Sequence, residues 1–351
     1  RSLSSYSPRA SVMSRISLLV GLALACLPVP ATASELPGTK PLPADFDPAA
    51  GMVPGIHKYL DRELADSAKR REDAWKATDL ATKRSRLRKI LGVVDERLPP
   101  RVEEVVPLGG SAKVAEVDGV RISHVRWTVL PGVDAEGLHL RAAGDRRRGF
   151  VVAIPDAEQS PYDVAGLGTG DGFAHRLAAN GFDVLVPTPI DRSDRHSSNA
   201  KLGKKTNVPH REFVHRMAYE VGRTLVGYEV QKVLAAVDFF SLGKPDRPVG
   251  VVGYGEGGRT ALYAAALDER IGICHVAGAF GQQETAWQRP LDRNLFGILA
   301  EFGDAEIGAM IAPRKLIVDT VAGPTWSVPV VAKGVKSFAA PCTLEPIPTA
   351  S

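Results

Sequence analysis

The sequence predicts an α/β fold: a doubly wound, mostly parallel sheet preceded by an N-terminal helical extension. Three observations predict it. Continuous apolar runs that end in polar turns, "GFVVAIPDA" from 149 and "FDVLVPTPIDR" from 182, read as strands buried on both faces. Amphipathic segments such as "GFAHRLAANG" and "RTALYAAALDERI" fall between such runs, and strands alternating with helices imply parallel crossovers. The glycine-rich phrase "VVGYGEGGRT" at 251–260 then joins a strand to a helix, the junction at which such sheets place their chemistry.

Taken in order, the 351 residues divide into four stretches: 1–33, 34–108, 109–324 and 325–351. Met13-Ser14-Arg15, the apolar "ISLLVGLALACL" and the small-residue "PVPATAS" form a secretory signal peptide with cleavage expected after Ala33; Cys26 leaves a lipoprotein variant open. The apolar core of this signal is too short to span a bilayer. Residues 34–54, rich in proline and glycine, read as a linker or extended surface segment. Ile56, Leu60, Leu64 and Ala68 recur at helical spacing, so 55–91 reads as one or two amphipathic helices, with "KRRED" and "KRSRLRK" as a solvated face.

"VRISHVRWTVL" and "GLHLR" alternate as strands at the start of the sheet. After the two buried strands, Pro209 begins a long helical segment with Phe213, Met217, Val221 and Leu225 on one stripe, continuing through "GYEVQKVLAAVDFFS". "PVGVVG", "GICHVAGAF" and "RKLIVDT" are the later strands. The stretch after Pro324 offers no convincing final strand and helix. That ending is early for the fold and leaves a truncated reading frame open.

The glycine turn has two readings. Gly253, Gly255 and Gly258 spell the GxGxxG of a dinucleotide site, which also needs an acidic residue at the end of the next strand; "GICHVAGAFGQQ" has none before Glu284. Gly253, Gly255 and Gly257 spell the GxSxG of a hydrolase elbow, whose sharp turn demands small flanking residues, with Gly255 at the apex.

Over about Val120 to Pro324, the phrases "VVAIPDAEQSP", "LAANGFDVLVPTPIDR", "PHREFVHRMAYEVGRTLVGYEVQKVLAAVDFF", "GYGEGGRTALYAAALDERI" and "RNLFGILAEFGDAEIGAMIAPRKLIV" resemble secreted α/β-hydrolase proteins related to acetyl xylan esterases and dienelactone hydrolases, in a degenerate, planctomycete-type branch. The resemblance implies an α/β-hydrolase-like sheet. It also implies a serine at the elbow, an acid after "RKLIVDT" and a later histidine. Gly255 stands at the serine position, and the last histidine in the sequence is His275, so the nucleophile and histidine positions are vacant.

Pocket or oxyanion candidates remain. The backbone amide of Glu256 follows the apex, and a second donor is expected near Asp156 and Ala157. Glu256 is a candidate acid or base, and Ser160 a weaker nucleophile candidate more simply read as a helix cap. His210 and Arg211 are candidate pocket-lining residues, with Arg211 and Glu212 expected to pair locally. His210 and His215 lie five apart, about 140° around a helix, so no metal is expected there. Trp287 and Trp326 read as buried loop anchors or carbohydrate-pocket walls.

Cys26, Cys274 and Cys342 exclude a disulfide framework and leave one bridge, Cys274–Cys342, open. A net charge of +4 from 44 basic and 40 acidic residues points to neither nucleic acid nor an anionic membrane. No cofactor motif stands out, and oligomeric state is not legible. The sequence is read as that of an exported protein of esterase descent, weak or inactive, with a small ester or carbohydrate ligand. An active ester hydrolase using non-standard residues and a nucleotide-binding oxidoreductase are the alternatives. Gly255→Ser is expected to be tolerated structurally without restoring brisk activity.

Overall fold

Two helices open the described chain. The computed structural model describes residues 37–106, 108–144, 147–199, 204–205, 208–242 and 247–319. It divides into two units, Arg1–Ile56 and His57–Ser351. Helix α1 spans Pro48–Ala77 and α2 Leu80–Leu91. The first starts seven residues before the expected position because Asp47-Pro48 is itself a start signal: Asp47 Oδ1 accepts from Ala49 N–H at 2.8 Å, and proline suits the first helical position. Asp79 caps α2 through Thr82 N–H, and Gly92 closes it in the left-handed conformation (φ 71°).

The strands follow as β1 (Val102–Glu104), β2 (Lys113–Val117), β3 (Val120–Leu130), β4 (Val133–Ala142), β5 (Gly149–Ile154) and β6 (Phe182–Pro187). Short helices α3 (Pro161–Val164) and α4 (Phe173–Ala179) lie between the last two. A two-stranded ribbon, β7 (Ser198–Asn199) and β8 (Lys204–Lys205), precedes α5 (His210–Tyr219) and α6 (Leu225–Ser241). Then come β9 (Val249–Tyr254), α7 (Glu256–Leu267), β10 (Ile271–Ala277), α8 (Ile298–Glu301), α9 (Asp304–Ala309) and β11 (Lys315–Asp319).

Among the described residues the main sheet runs β1-β3-β4-β6-β5-β9-β10-β11, with β2 on β3. The early strands pair antiparallel; from β6 onward every pairing is parallel. Strand β5 shows why its sequence is apolar throughout. Phe150, Val152 and Ile154 join the core under α2, α6 and α7, while Val151 and Ala153 join the second core with Ala174 and Ala178 of α4.

Three expectations need correction. The long helix after Pro209 is two helices: the chain turns at Gly222 (φ 69°), and Thr224 starts α6 by accepting from Gly227 N–H at 2.8 Å and donating to Leu91 O at 2.7 Å. Met217 and Val221 of the expected stripe are exposed, because that register belongs to one continuous helix and the break ends it. The basic run of α2 is also not simply a solvated face. Arg84 donates to Ala266 O (3.0 Å) and Arg88 to Leu267 O (3.2 Å), so these cations sit against the carbonyl end of α7, where the helix dipole favours positive charge.

Cys274 is free and fully buried, and burial pushes its thiol pKa well up. The signal segment, Cys26, Trp326 and Cys342 lie outside the described residues. No described helix is long and apolar enough to cross a membrane.

Candidate active site

Gly255 is at the carboxyl end of β9 with φ 55° and ψ −120°, a strand-to-helix corner that side chains adopt only under strain. The flanking glycines are required by contact. A Cβ on Gly253 would come within 2.6 Å of Gly258 N, one on Gly257 within 2.5 Å of Pro155 O, and one on Gly258 within 2.9 Å of Ala277 O. Helix α7 begins at the next residue, and Ala261, Ala264, Ala265 and Ala266 are fully buried against the sheet. The phrase "VVGYGEGGRT" therefore has elbow geometry.

The space over the apex is taken by Asp156, from the end of the neighbouring β5. A Cβ built on Gly255 would overlap Asp156 Oδ1 and lie 2.9 Å from its Cγ. The same Oδ1 accepts the Glu256 N–H at 2.7 Å, while the Asp156 N–H donates to Gln159 Oε1 at 3.1 Å. The Glu256 amide is thus engaged by a carboxylate that would repel an oxyanion, and the Asp156 amide by a side chain of its own loop. The expected tolerance of Gly255→Ser also needs correction, since Asp156 must first move.

Glu256 does not project freely. Its carboxylate pairs with Arg293, with Arg192 at 3.4 Å and with Arg211 at 3.9 Å, and little of it is exposed. Arg211 is buried and pairs not with Glu212, as local spacing had it, but with Asp292 at 2.7 Å; Glu212 pairs with Arg216 at 2.6 Å, one helical turn on. Asp292 also meets Arg192 at 3.2 Å. Burial alone would raise its pKa, but the bonds and charges of Arg211 and Arg192 outweigh that and hold it below the ordinary value. This network fastens α5, the loop after β6 and the loop after β10 to the first turn of α7. Every ion pair of the Glu256 carboxylate among the described residues is thus to an arginine of this network.

His210 opens α5. Its Nδ1 lies 2.6 Å from Asp191 Oδ1, and its Nε2 accepts the His196 N–H at 2.6 Å, so the ring is the Nδ1–H tautomer and both nitrogens are engaged. His215 is buried one turn on, away from His210. Ser160 caps α3 in a capping box with Asp163, its Oγ 2.7 Å from Asp163 Oδ2. Ala157 and Ser160 wall an open groove of about 720 Å3 that also meets Asp191 and Arg195. Trp287 is half exposed on a loop between β10 and α8 and packs edge-on against His57 at 5.3 Å, which corrects the buried-anchor reading and leaves the pocket-wall one open. No group of three His, Cys, Asp or Glu stands in a metal-holding arrangement among the described residues.

Among solved structures the chain is similar to a Bacteroides fragilis protein described as an acetyl xylan esterase, at 15% identity and a TM-score of 0.54, covering 68% of this chain and 66% of that one. The chain has the α/β-hydrolase fold. A methylesterase (14% identity, TM-score 0.46, 75% of this chain, 55% of that one) and acetyl xylan esterase 1 from a Thermoanaerobacterium species (13%, 0.44, 68% and 77%) also match. The chain thus spans less than two thirds of the first two. No family model and no curated protein matches it.

Within this fold Gly255 stands at the corner between β9 and α7. The residues that sequence reasoning missed are Arg192 and Arg293, which reach Glu256 from two separate loops, and Asp292, which pairs with Arg192 and Arg211 beside them. No local pattern marks them, since their relation exists only across the folded sheet edge.

Proposed function

We propose that this chain is an exported α/β-hydrolase-fold protein of carbohydrate or carboxylic ester hydrolase descent that binds a small ester or carbohydrate and hydrolyses esters weakly or not at all. One observation carries the reading: the Asp156 carboxylate fills the place above Gly255 and accepts the amide of Glu256. Without a nucleophile, a triad mechanism loses on the order of a millionfold in turnover. With the Glu256 amide also engaged, the residual oxyanion stabilisation is weakened as well. The open groove beside Ala157 and Ser160 is the proposed place for the ligand.

The test is hydrolysis of 4-nitrophenyl acetate and of a methyl glucuronate by the purified chain. Rates at the buffer background are expected. Turnover in the ordinary enzymatic range, about 1 to 1000 per second, that is abolished by Ser160→Ala or Glu256→Ala would overturn the reading. Export is tested separately by sequencing the mature N-terminus, expected at Ser34; a folded cytoplasmic product starting at Met13 would overturn it.

A further inference from the structure

A second concavity, of about 560 Å3, lies between the α1 residues from His57 onward and the segment joining β10 to α9. Its volume is that of a small-molecule site. Leu60 and Leu64 of α1 face Leu295, Ile298, Phe302 and Ile307 across it, and Arg259, Arg289 and Arg293 also line it.

The charges on this wall are matched except at one place. Arg259 is held by Asp304 at 2.9 Å, Arg293 by Glu256, Arg70 by Glu63 at 3.1 Å, and Glu284 by Arg71 at 3.1 Å. Asp61, on the exposed rim, meets His57 at 3.1 Å. Arg289 stands apart. Its Nη1 donates only to the neutral amide oxygen of Gln283, at 3.1 Å, and no carboxylate among the described residues lies within ion-pair distance of it. Burial and the like charges of Arg259 and Arg293 bear against its own charge and push its pKa down, outweighing the opposite pull of Asp304 and Glu256.

We propose that this cavity binds a small amphiphilic carboxylate, its hydrocarbon between α1 and the Leu295–Phe302 wall and its carboxylate on the Arg289 guanidinium. The apolar walls gain from covering hydrocarbon. The planar guanidinium gains a two-point, charge-assisted partner that the protein itself does not supply. Neither Gly255 nor Asp156 takes part, so this inference goes beyond the elbow reading, and the ligand carries no ester bond whose hydrolysis could confuse the two.

The experiment is a calorimetric titration of the full chain with octanoate and, separately, with 1-octanol. Octanoate is expected to bind one site at least about tenfold tighter than octanol. Arg289→Gln is expected to weaken octanoate by about tenfold or more while leaving octanol unchanged. Leu64→Trp fills the cavity and is expected to weaken both. Octanoate binding no tighter than octanol, or unchanged by Arg289→Gln, or both ligands indifferent to Leu64→Trp, overturns the proposal. If Arg289→Gln does not fold, the octanoate–octanol comparison in the unaltered chain and Leu64→Trp still decide.

Discussion

Asp156 Oδ1 lies 2.7 Å from the backbone nitrogen of Glu256, so the amide that opens α7 is closed by a carboxylate from the next strand. A helix N-terminus favours an anion, and here the protein supplies its own.

Serine at position 255 must therefore displace Asp156 and adopt a positive φ. Gly255→Ser is expected to destabilise the chain by about 1–3 kcal/mol. Asp156→Ala in the same chain removes the collision and should return part of that loss, a coupling of about 0.5–3 kcal/mol. Urea unfolding of the two single variants and the double variant measures it; strict additivity would show that Asp156 does not occupy the apex.

Acid should weaken the fold in two steps. Burial lowers the pKa of His215 and His275, and their Nδ1 and Nε2 atoms, respectively, have no hydrogen-bond partner among the described residues. The unfolded chain then takes up protons first, so stability present above the unfolded histidine value of about 6.5 declines as pH falls below it, by at most about 1.4 kcal/mol per pH unit for each ring. His215→Gln and His275→Gln should flatten that limb.

The second step belongs to carboxylates. Asp292 is held below its ordinary pKa, burial notwithstanding, by Arg211 and Arg192, and Asp268 likewise, chiefly by Arg270. Their contribution is complete above the unfolded value of about 3.9 and is lost as pH falls through the lower folded values. Asp292→Asn should reduce the slope of unfolding free energy below about pH 4, measured by urea titration at fixed pH steps.

Arg314 donates through one nitrogen to the carbonyls of Ala265, Asp268 and Ile271, each at 2.8 Å. Arg314→Ala strips the end of α7 of this donor and is expected to cost about 2–4 kcal/mol, against less than about 0.5 for Arg101→Ala on the surface. Equal unfolding midpoints for the two variants would contradict this.

Thr224→Ala removes both the cap of α6 and the bond to Leu91 O. A loss of about 1–2 kcal/mol is expected, with Thr224→Ser retaining most of the stability. Thermal unfolding of the three proteins provides the comparison.

The sheet and the glycine-rich corner after β9 were legible in the sequence. Apolar runs such as 149–154 are legible because a strand covered on both faces excludes polar residues all along its length, and Gly253, Gly257 and Gly258 are legible because backbone approaches leave no room for a Cβ. Helix breaks were less legible: the stripe through Val221 hid the Gly222 turn, since a few residues of helical period fit two short helices as well as one long one. It takes the folded chain to show that Asp156 Oδ1 accepts the Glu256 amide, that Glu256 is held among arginines from separate loops, and that Arg289 lines a cavity with no carboxylate of the described residues in ion-pair reach. These relations join residues up to 100 positions apart in sequence, and a local pattern records which face a residue takes but not which distant charge it will meet there.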